Sequence, residues 1–154
     1  MGFFRSMDIS ASALTANRYW MDIIGENVAN ATNTRTLKGG PYRRKYIIMQ
    51  ERPFGAALER PFGAALNIAK SRYARTIGGG VRVVETREET SPFKLVHDPE
   101  HPDADAEGDV RLPNVDMERE MVDMLVATRS YEANVTVINN FKAMANKALQ
   151  IGRG

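Results

Sequence analysis

The spacing of apolar residues over the last quarter of the chain predicts one long helix. From Asp116 to Ile151 there is no proline and no glycine, and apolar or tolerated residues recur in alternating steps of four and three, as in a coiled-coil seam. Asp116 is a suitable N-cap and Gly152 a suitable stop. At the usual rise the helix would be about 54 Å long, more than a compact core needs, so we expect it to pair with another helix. The seam positions are Met117, Met121, Met124, Thr128, Tyr131, Val135, Ile138, Lys142, Ala145 and Leu149.

A second helix is predicted near the N-terminus, over residues 8 to about 30. Asp8 or Ser10 can cap it, and the asparagines from Asn27 to Asn33 favour a turn that ends it. Its apolar stripe is less regular than that of the C-terminal helix, but four apolar residues fall seven apart. These are Met7, Leu14, Met21 and Val28. We expect the two helices to pair antiparallel or to join a shared bundle.

Between the helices the pattern changes to short extended segments. Residues 42–50, 81–87 and 93–97 are rich in β-branched and aromatic residues, which predicts strands, and 109–112 is a short extended piece. We expect the strands to form one small sheet. The predicted fold is therefore mainly α, with long N- and C-terminal helices in a coiled-coil layer and a small, loop-rich, β-containing middle region.

The pattern divides the chain into an N-terminal helical segment (1–34), a middle region (35–113) and a C-terminal helical segment (114–154). The middle region contains a tandem repeat at 51–66, in which the octapeptide ERPFGAAL occurs twice in succession. A repeat of this length is too short for a solenoid, and such an insertion survives best in an exposed loop. We expect residues 50–80 to be a surface excursion.

Charge is small in total but uneven in placement. The net charge is +2, yet Arg35 to Arg75 carries ten Lys/Arg against two Glu, and Asp98 to Asp123 carries ten Asp/Glu against two Arg. The two stretches are either ordinary solvated surface or electrostatic complements, within one chain or between copies. The charge pattern alone leaves both interpretations open.

Little in the sequence favours catalysis or a cofactor. There is no cysteine, so thiol chemistry and thiolate metal sites are excluded. His97 and His101 are four apart, but Pro99 and Pro102 disfavour the helix that would join them as metal ligands. Residues 103–114 begin like a calcium loop but lack its final glutamate. The N-terminus lacks the features of a cleaved signal peptide. We expect no enzyme activity, no cofactor, no small-molecule substrate and no nucleic-acid partner.

Six short motifs resemble one known family. They are Asn27-Val28-Ala29-Asn30-Ala31, Gly40-Pro41-Tyr42-Arg43-Arg44-Lys45, Asp98-Pro99-Glu100-His101-Pro102-Asp103-Ala104, Pro113-Asn114-Val115-Asp116, Glu120-Met121-Val122-Asp123-Met124 and Arg129-Ser130-Tyr131-Glu132-Ala133-Asn134-Val135. Together they resemble the bacterial flagellar axial proteins, the rod and hook subunits, and among them most closely the proximal rod proteins. The octapeptide repeat, and Asp109 where the family usually has an aromatic residue, depart from that pattern.

The resemblance implies a structural subunit of the flagellar basal-body rod that assembles through its terminal helices and transmits torque from motor to hook. It implies a rod that crosses the periplasm, and export by the flagellar type III apparatus without a cleaved signal. Implied partners are other copies of the chain, other rod proteins and the MS-ring and export-gate side of the basal body. It also implies that free subunits have disordered ends, which fold on assembly. The alternatives are a helical adaptor that binds a partner through its C-terminal heptads, and a metal-dependent or nucleic-acid-binding protein.

The predicted site is an assembly surface. Its residues on the two helices are Leu14, Met21, Ile24, Val28, Asn30, Met117, Met121, Met124, Tyr131, Asn134, Val135 and Ile138. Candidate charge contacts between neighbouring subunits are Arg43, Arg44, Lys45, Asp98, Asp103 and Asp105.

Overall fold

A computed structural model describes residues 2–37, 39–52 and 78–152. In chain order the elements are α1 (Gly2–Ala29), β1 (Lys45–Glu51), β2 (Val81–Glu88), β3 (Lys94–His97), β4 (Asp109–Leu112) and α2 (Met117–Ile151). The described chain is mainly helical with a β-containing middle, as predicted. Neither helix has an apolar stretch that would cross a membrane.

The C-terminal helix begins and ends where the sequence predicts. The backbone N–H of Glu118 donates to Asp116 Oδ1 at 3.1 Å, so Asp116 satisfies one of the free donors of the first turn. The N-terminal helix begins at Gly2, and the prediction that Asp8 or Ser10 caps it is wrong. No proline interrupts residues 2–8, so nothing in that stretch stops the helix from extending towards the N-terminus.

The chain folds into two compact units. One contains the described residues of 1–17, 49–84 and 130–154, and the other contains 18–48 and 85–129. Each unit therefore combines a piece of α1, a piece of the middle region and a piece of α2. Both helices pass from one unit into the other.

In the unit formed by 18–48 and 85–129, the two helices run antiparallel. Asn27 Nδ2 donates to Glu120 Oε2 at 3.1 Å, and Thr128 Oγ1 lies 3.7 Å from Met21 Sδ. Residue numbers rise along α1 while those of their partners on α2 fall, which confirms the antiparallel alternative. The core residues of this unit are Ile23, Ile24, Tyr42, Val110, Pro113, Val115 and Ala127.

In the other unit, a side chain of α1 fixes the start of β2. Ser12 Oγ donates to the carbonyl of Ile9 at 2.7 Å and accepts the backbone N–H of Val81 at 3.0 Å. Asn17 Nδ2 donates to Ser130 Oγ at 3.0 Å, which joins α1 to α2. Small and polar side chains thus make these hydrogen bonds between elements.

The four strands form two separate two-stranded sheets, β1 with β2 and β3 with β4, so the expectation of one sheet is wrong. Within β3–β4, Val96 pairs with Val110 in an antiparallel register. The N–H of Asp98 donates to the carbonyl of Gly108 at 2.9 Å and closes the turn between these strands. The shortest connection between strands, residues 89–93, joins β2 to β3, yet these two strands do not pair. Of the repeat at 51–66, Glu51 ends β1 and Arg52 follows it, and residues 53–66 lie outside the described residues.

Candidate functional site

The inward side of α2 follows a strict heptad. The positions alternate in steps of four and three, and each is buried or half-buried. They are Glu120, Met124, Ala127, Tyr131, Asn134, Ile138, Phe141 and Ala145. Two of the eight, Glu120 and Asn134, are polar, so a search for apolar residues at helical spacing does not find the whole stripe.

The predicted C-terminal seam shares half of these positions and misses the other half by one residue. Met124, Tyr131, Asn134 and Ile138 of the predicted site lie on the inward stripe, and Val135 beside it is half-buried. Met117 and Met121 are exposed. The predicted seam used Met121 because it is apolar, whereas the structure turns the neighbouring Glu120 inward.

The predicted residues of α1 divide in a similar way. Ile24 is almost fully buried, while Leu14, Met21 and Val28 are half-buried. Asn30 Nδ2 donates to the carbonyl of Glu26 at 2.9 Å, so its side-chain amide satisfies a carbonyl in the last turn of α1. The most buried polar residues of α1 are Ser10, Asn17 and Asn27, which the seven-residue apolar series does not include.

A second stripe lies on the outward side of α2. Its members are spaced four, seven or three apart, which places them on one side of the helix. None of these members is charged, and exposed Arg129 and Asn140 occupy the two seven-residue gaps. They are Val122, Val126, Ala133, Val137, Met144, Ala148 and Ile151, all exposed. We call this series the outer stripe. An apolar helix face that remains exposed on one chain is typical of a contact surface.

A buried ion pair joins the start of α2 to the segment before β1. Arg44 Nε donates to Glu120 Oε1 at 2.6 Å, and the Glu120 side chain has 0% exposure. The same guanidinium contacts Glu89 Oε2 at 3.1 Å and Asp123 Oδ2 at 3.3 Å. The Arg44 side chain is only 8% exposed and is paired with three carboxylates of its own chain. We therefore assign it to the interior of its unit, with little surface left for a neighbouring subunit.

Asn27 connects the same ion pair to the end of α1. Its Oδ1 accepts the Lys45 N–H at 2.9 Å and the Tyr42 hydroxyl at 3.0 Å. Its Nδ2 donates to the Lys45 carbonyl at 2.8 Å as well as to Glu120. One asparagine thus holds α1, α2 and the chain entering β1 together. We call Asn27, Tyr42, Arg44, Lys45 and Glu120 the polar junction.

Burial and charge perturb two groups of the polar junction. Burial, followed by the negative charges of Glu26 and Glu120, raises the pKa of the Tyr42 phenol above its ordinary range. Desolvation lowers the pKa of Arg44, but the hydrogen bond and charge of Glu120, with those of Glu89, outweigh it and raise that pKa overall. Arg44 is therefore charged and Tyr42 neutral at any physiological pH.

The other predicted charge contacts are more accessible than Arg44. Arg43 lies over the Phe93 ring, with Cζ 4.3 Å from the ring centroid, and Lys45 forms an ion pair with Glu26. Asp98 and Asp105 are exposed in the turn between β3 and β4.

Asp103 in that turn accepts the Thr34 hydroxyl at 2.7 Å and lies 3.8 Å from Arg35 Nε. The acidic turn therefore contacts Thr34 and Arg35 of its own unit. Charge complementarity within the chain, one of the two interpretations left open by the sequence, is present here.

The two histidines do not converge. His97 Nδ1 lies 2.9 Å from Asp109 Oδ1 across the β3–β4 pair, whereas His101 Nδ1 accepts the N–H of Asp103 at 3.1 Å. Among the residues that the structure describes, no three histidine or carboxylate side chains gather where a metal ion could bind.

Sequence reasoning missed the roles of Asn27 and Asn114 at this site. Asn114 Oδ1 accepts the Arg44 N–H at 2.8 Å, and its Nδ2 donates to Ser91 Oγ at 2.8 Å. Both asparagines lie in the motifs that carry the family resemblance, which was the only signal available for them. Their hydrogen-bond partners are distant in sequence, so no local pattern predicts the contacts.

Comparison with known proteins identifies the family. Residues 107–151 match the family described as flagellar basal body rod FlgEFG protein C-terminal. The chain is 44% identical to the flagellar basal-body rod protein FlgC of Borreliella burgdorferi, with 100% of both chains covered. It is 45% identical to FlgC of Bacillus subtilis over 99% of this chain and 100% of that one. The chain also matches FlgC of Escherichia coli O6:H1 at 39% identity over 99% and 100% of the two chains. The resemblance predicted from the motifs is confirmed: the chain belongs to the FlgC family of flagellar basal-body rod proteins.

Proposed function

We propose that this chain, as a structural protein of the flagellar basal-body rod, assembles by packing the outer stripe of α2 against helices of neighbouring subunits. The inward stripe is already used within the chain, whereas the outer stripe is an apolar helix face that remains for another subunit. Torque would then pass between subunits through interlocked helices, which demands stiffness rather than chemistry. The chain needs no enzyme activity and no cofactor for this role.

The observation that carries the proposal is the series of exposed apolar residues in the outer stripe. Val122 is 59% exposed, Val126 50% and Met144 51%. Fully burying an exposed side chain of this kind contributes about 1.5–3 kcal/mol, so covering the exposed half of each contributes roughly half of that amount. Several in line along one helix are enough to drive association, whereas a single exposed apolar residue would mean little.

The exposed methionines and the charged groups extend the proposed surface. Met117 and Met121 lie on a different side of α2 from the outer stripe and would contact a further neighbour. Asp98 and Asp105 in the β3–β4 turn would face basic side chains such as Arg43 and Lys45 of the next copy. Exposed charges of this kind favour orientation and specificity more than affinity.

Membership of the rod family supports the rest of the proposed setting. The terminal segments 1–34 and 114–154 would form a coiled-coil layer with those of neighbouring subunits, with residues 35–113 outside it. The partners would be further copies, other rod proteins and the MS-ring and export-gate side of the basal body. The chain would reach a rod that crosses the periplasm through the flagellar type III export apparatus, without a cleaved signal.

The test places one charge on the outer stripe. Val137→Glu in a strain whose own gene for this protein is deleted should reduce both motility and the amount of this chain in purified basal bodies by at least about tenfold, because a buried unpaired carboxylate opposes packing. Thr136→Glu is the matched control, since Thr136 is exposed on the adjoining side of the helix and is not in the stripe. Equal incorporation of the two variants would overturn the proposal.

A further inference from the structure

We infer that the polar junction sets the axial register of α1 against α2 in the unit formed by 18–48 and 85–129. Among the described contacts, the junction is the only place where one carboxylate of α2, that of Glu120, bonds a side chain of α1 and a side chain of the segment that leads into β1. Asn27 also bonds the carbonyl of Lys45 at the start of β1. The inference rests on the proposed function for its purpose, because a rod of identical subunits needs one helix register. Its evidence is the geometry of the junction itself.

The apolar seam by itself does not specify one register. A shift of α2 by one heptad would bring Met117 to the place of Met124 and Met121 to the place of Thr128. Both replacements are apolar and flexible, so packing tolerates them. A heptad seam repeats along its length, and regularly repeating apolar contacts are the situation in which a buried polar group fixes the pairing.

The same shift would destroy the polar junction. It would bring Pro113, which precedes the helix, to the place of Glu120 and Glu120 to the place of Ala127, which leaves Arg44 Nε and Asn27 Nδ2 without their carboxylate. Both oxygens of Glu120 are used in the observed register, one by each partner. Asn27 is in turn bonded to both backbone groups of Lys45, so it cannot follow a sliding helix. Buried charges and amides without partners are strongly unfavourable, and only one register avoids them.

Cysteine cross-linking can measure the register, because the chain has no cysteine of its own. The pair Met21→Cys with Thr128→Cys reports the observed register, in which these side chains touch. The pair Met21→Cys with Met121→Cys reports a register shifted by one heptad, about 10.5 Å along the axis. In the otherwise unaltered full chain, the first pair should form its disulfide at least about tenfold faster, because a disulfide needs its Cα atoms within about 7 Å.

The junction is then replaced by apolar residues of similar size, with Arg44→Met and Glu120→Leu together. We expect the chain to stay helical by circular dichroism and the preference for the observed register to fall to about threefold or less. If the double variant is not helical, the same ratio is measured in Glu120→Gln, where it should fall at least about threefold. The control is Glu85→Leu with Arg87→Met, an exposed ion pair of the same unit, which should leave the ratio unchanged.

Two results would overturn the inference: no preference in the unaltered chain, or an undiminished preference when the junction is replaced. The cross-linking uses purified chain and does not depend on rod assembly. If Val137→Glu assembles normally while the register result holds, the proposed assembly surface fails alone. If the register result fails while Val137→Glu blocks assembly, the register inference fails alone.

Discussion

At the scale of single residues, this protein is unusual for the polar groups it buries. Glu120 is completely buried and Asn27 is 1% exposed, and both lie on the inward faces of long helices. Such groups are tolerated because every polar atom is paired: Glu120 with Arg44 and Asn27, and Asn27 with Tyr42 and Lys45. A buried ion pair of this kind contributes little net stability relative to apolar residues, but breaking it is costly.

Tyr42 gives the polar junction a predictable pH dependence. Its pKa is raised above the ordinary value of 10.0 by burial and nearby carboxylates, so the folded state keeps the proton after the unfolded state has lost it. Stability from this group is therefore present below pH 10 and is lost as the pH rises above it, by up to about 1.4 kcal/mol per pH unit.

The check compares urea unfolding of the unaltered chain and Tyr42→Phe between pH 9 and pH 11. The free energy of unfolding should fall less steeply with pH in Tyr42→Phe than in the unaltered chain, by up to about 1.4 kcal/mol per pH unit. Tyr46→Phe, which removes a hydroxyl from an exposed ring, serves as the control and should keep the original slope. Identical slopes for all three proteins would show that Tyr42 is not responsible.

At the scale of elements, the contact of β2 with α1 depends on a glycine. Gly80 has φ +107°, and a Cβ there would overlap Ser12 Oγ and lie 3.4 Å from Ile9 Cα. Ser12 cannot easily turn away, because its hydroxyl bonds both Ile9 and Val81. The close approach of strand to helix in this unit therefore requires the absence of a side chain at residue 80.

Gly80→Ala tests this contact. Gly39 is a matched control, since its φ is +84° but a Cβ there would meet nothing within 4 Å. Both substitutions incur backbone strain of about 1–2 kcal/mol, and only Gly80→Ala adds overpacking of about 1–3 kcal/mol. We expect the larger fall in the free energy of unfolding for Gly80→Ala in urea titrations. Equal falls in the free energy of unfolding for the two variants would mean that the contact between β2 and α1 leaves room for a side chain at residue 80.

At the scale of the whole molecule, α2 carries more apolar surface than one chain buries. The outer stripe and the exposed Met117 and Met121 leave α2 with two uncovered apolar sides. A long helix is stabilised mostly by packing, so the ends of an isolated chain should gain order when copies associate. This property distinguishes a rod subunit from a helical adaptor, which would be fully folded alone.

The corresponding prediction concerns concentration. The helix content of the purified chain, measured by circular dichroism, should rise with concentration in step with larger species in sedimentation. Val137→Glu should abolish the rise, and Thr136→Glu should preserve it, because only the former places a charge on the outer stripe. A monomer with full helix content at every concentration would instead favour the adaptor.

The sequence by itself determined which segments are helical and which are extended. The long stretch without proline or glycine, the N-cap at Asp116 and the β-branched runs are local signals, and each produced an element close to its predicted place. The motifs likewise determined the family, because they are short, specific and spread along the chain. Only the start of α1 was missed, since nothing local marks it.

The tertiary structure alone decided which side of each helix faces inward, how the strands pair and what Arg44 does. Apolar periodicity pointed to Met121, yet Glu120 is inward because Arg44 and Asn27, both distant in sequence, satisfy its oxygens. Arg44 was predicted as a surface contact from its charge, yet three carboxylates of its own chain hold it in the interior. A buried polar residue is stable only with its partners, and those partners are brought together by the fold.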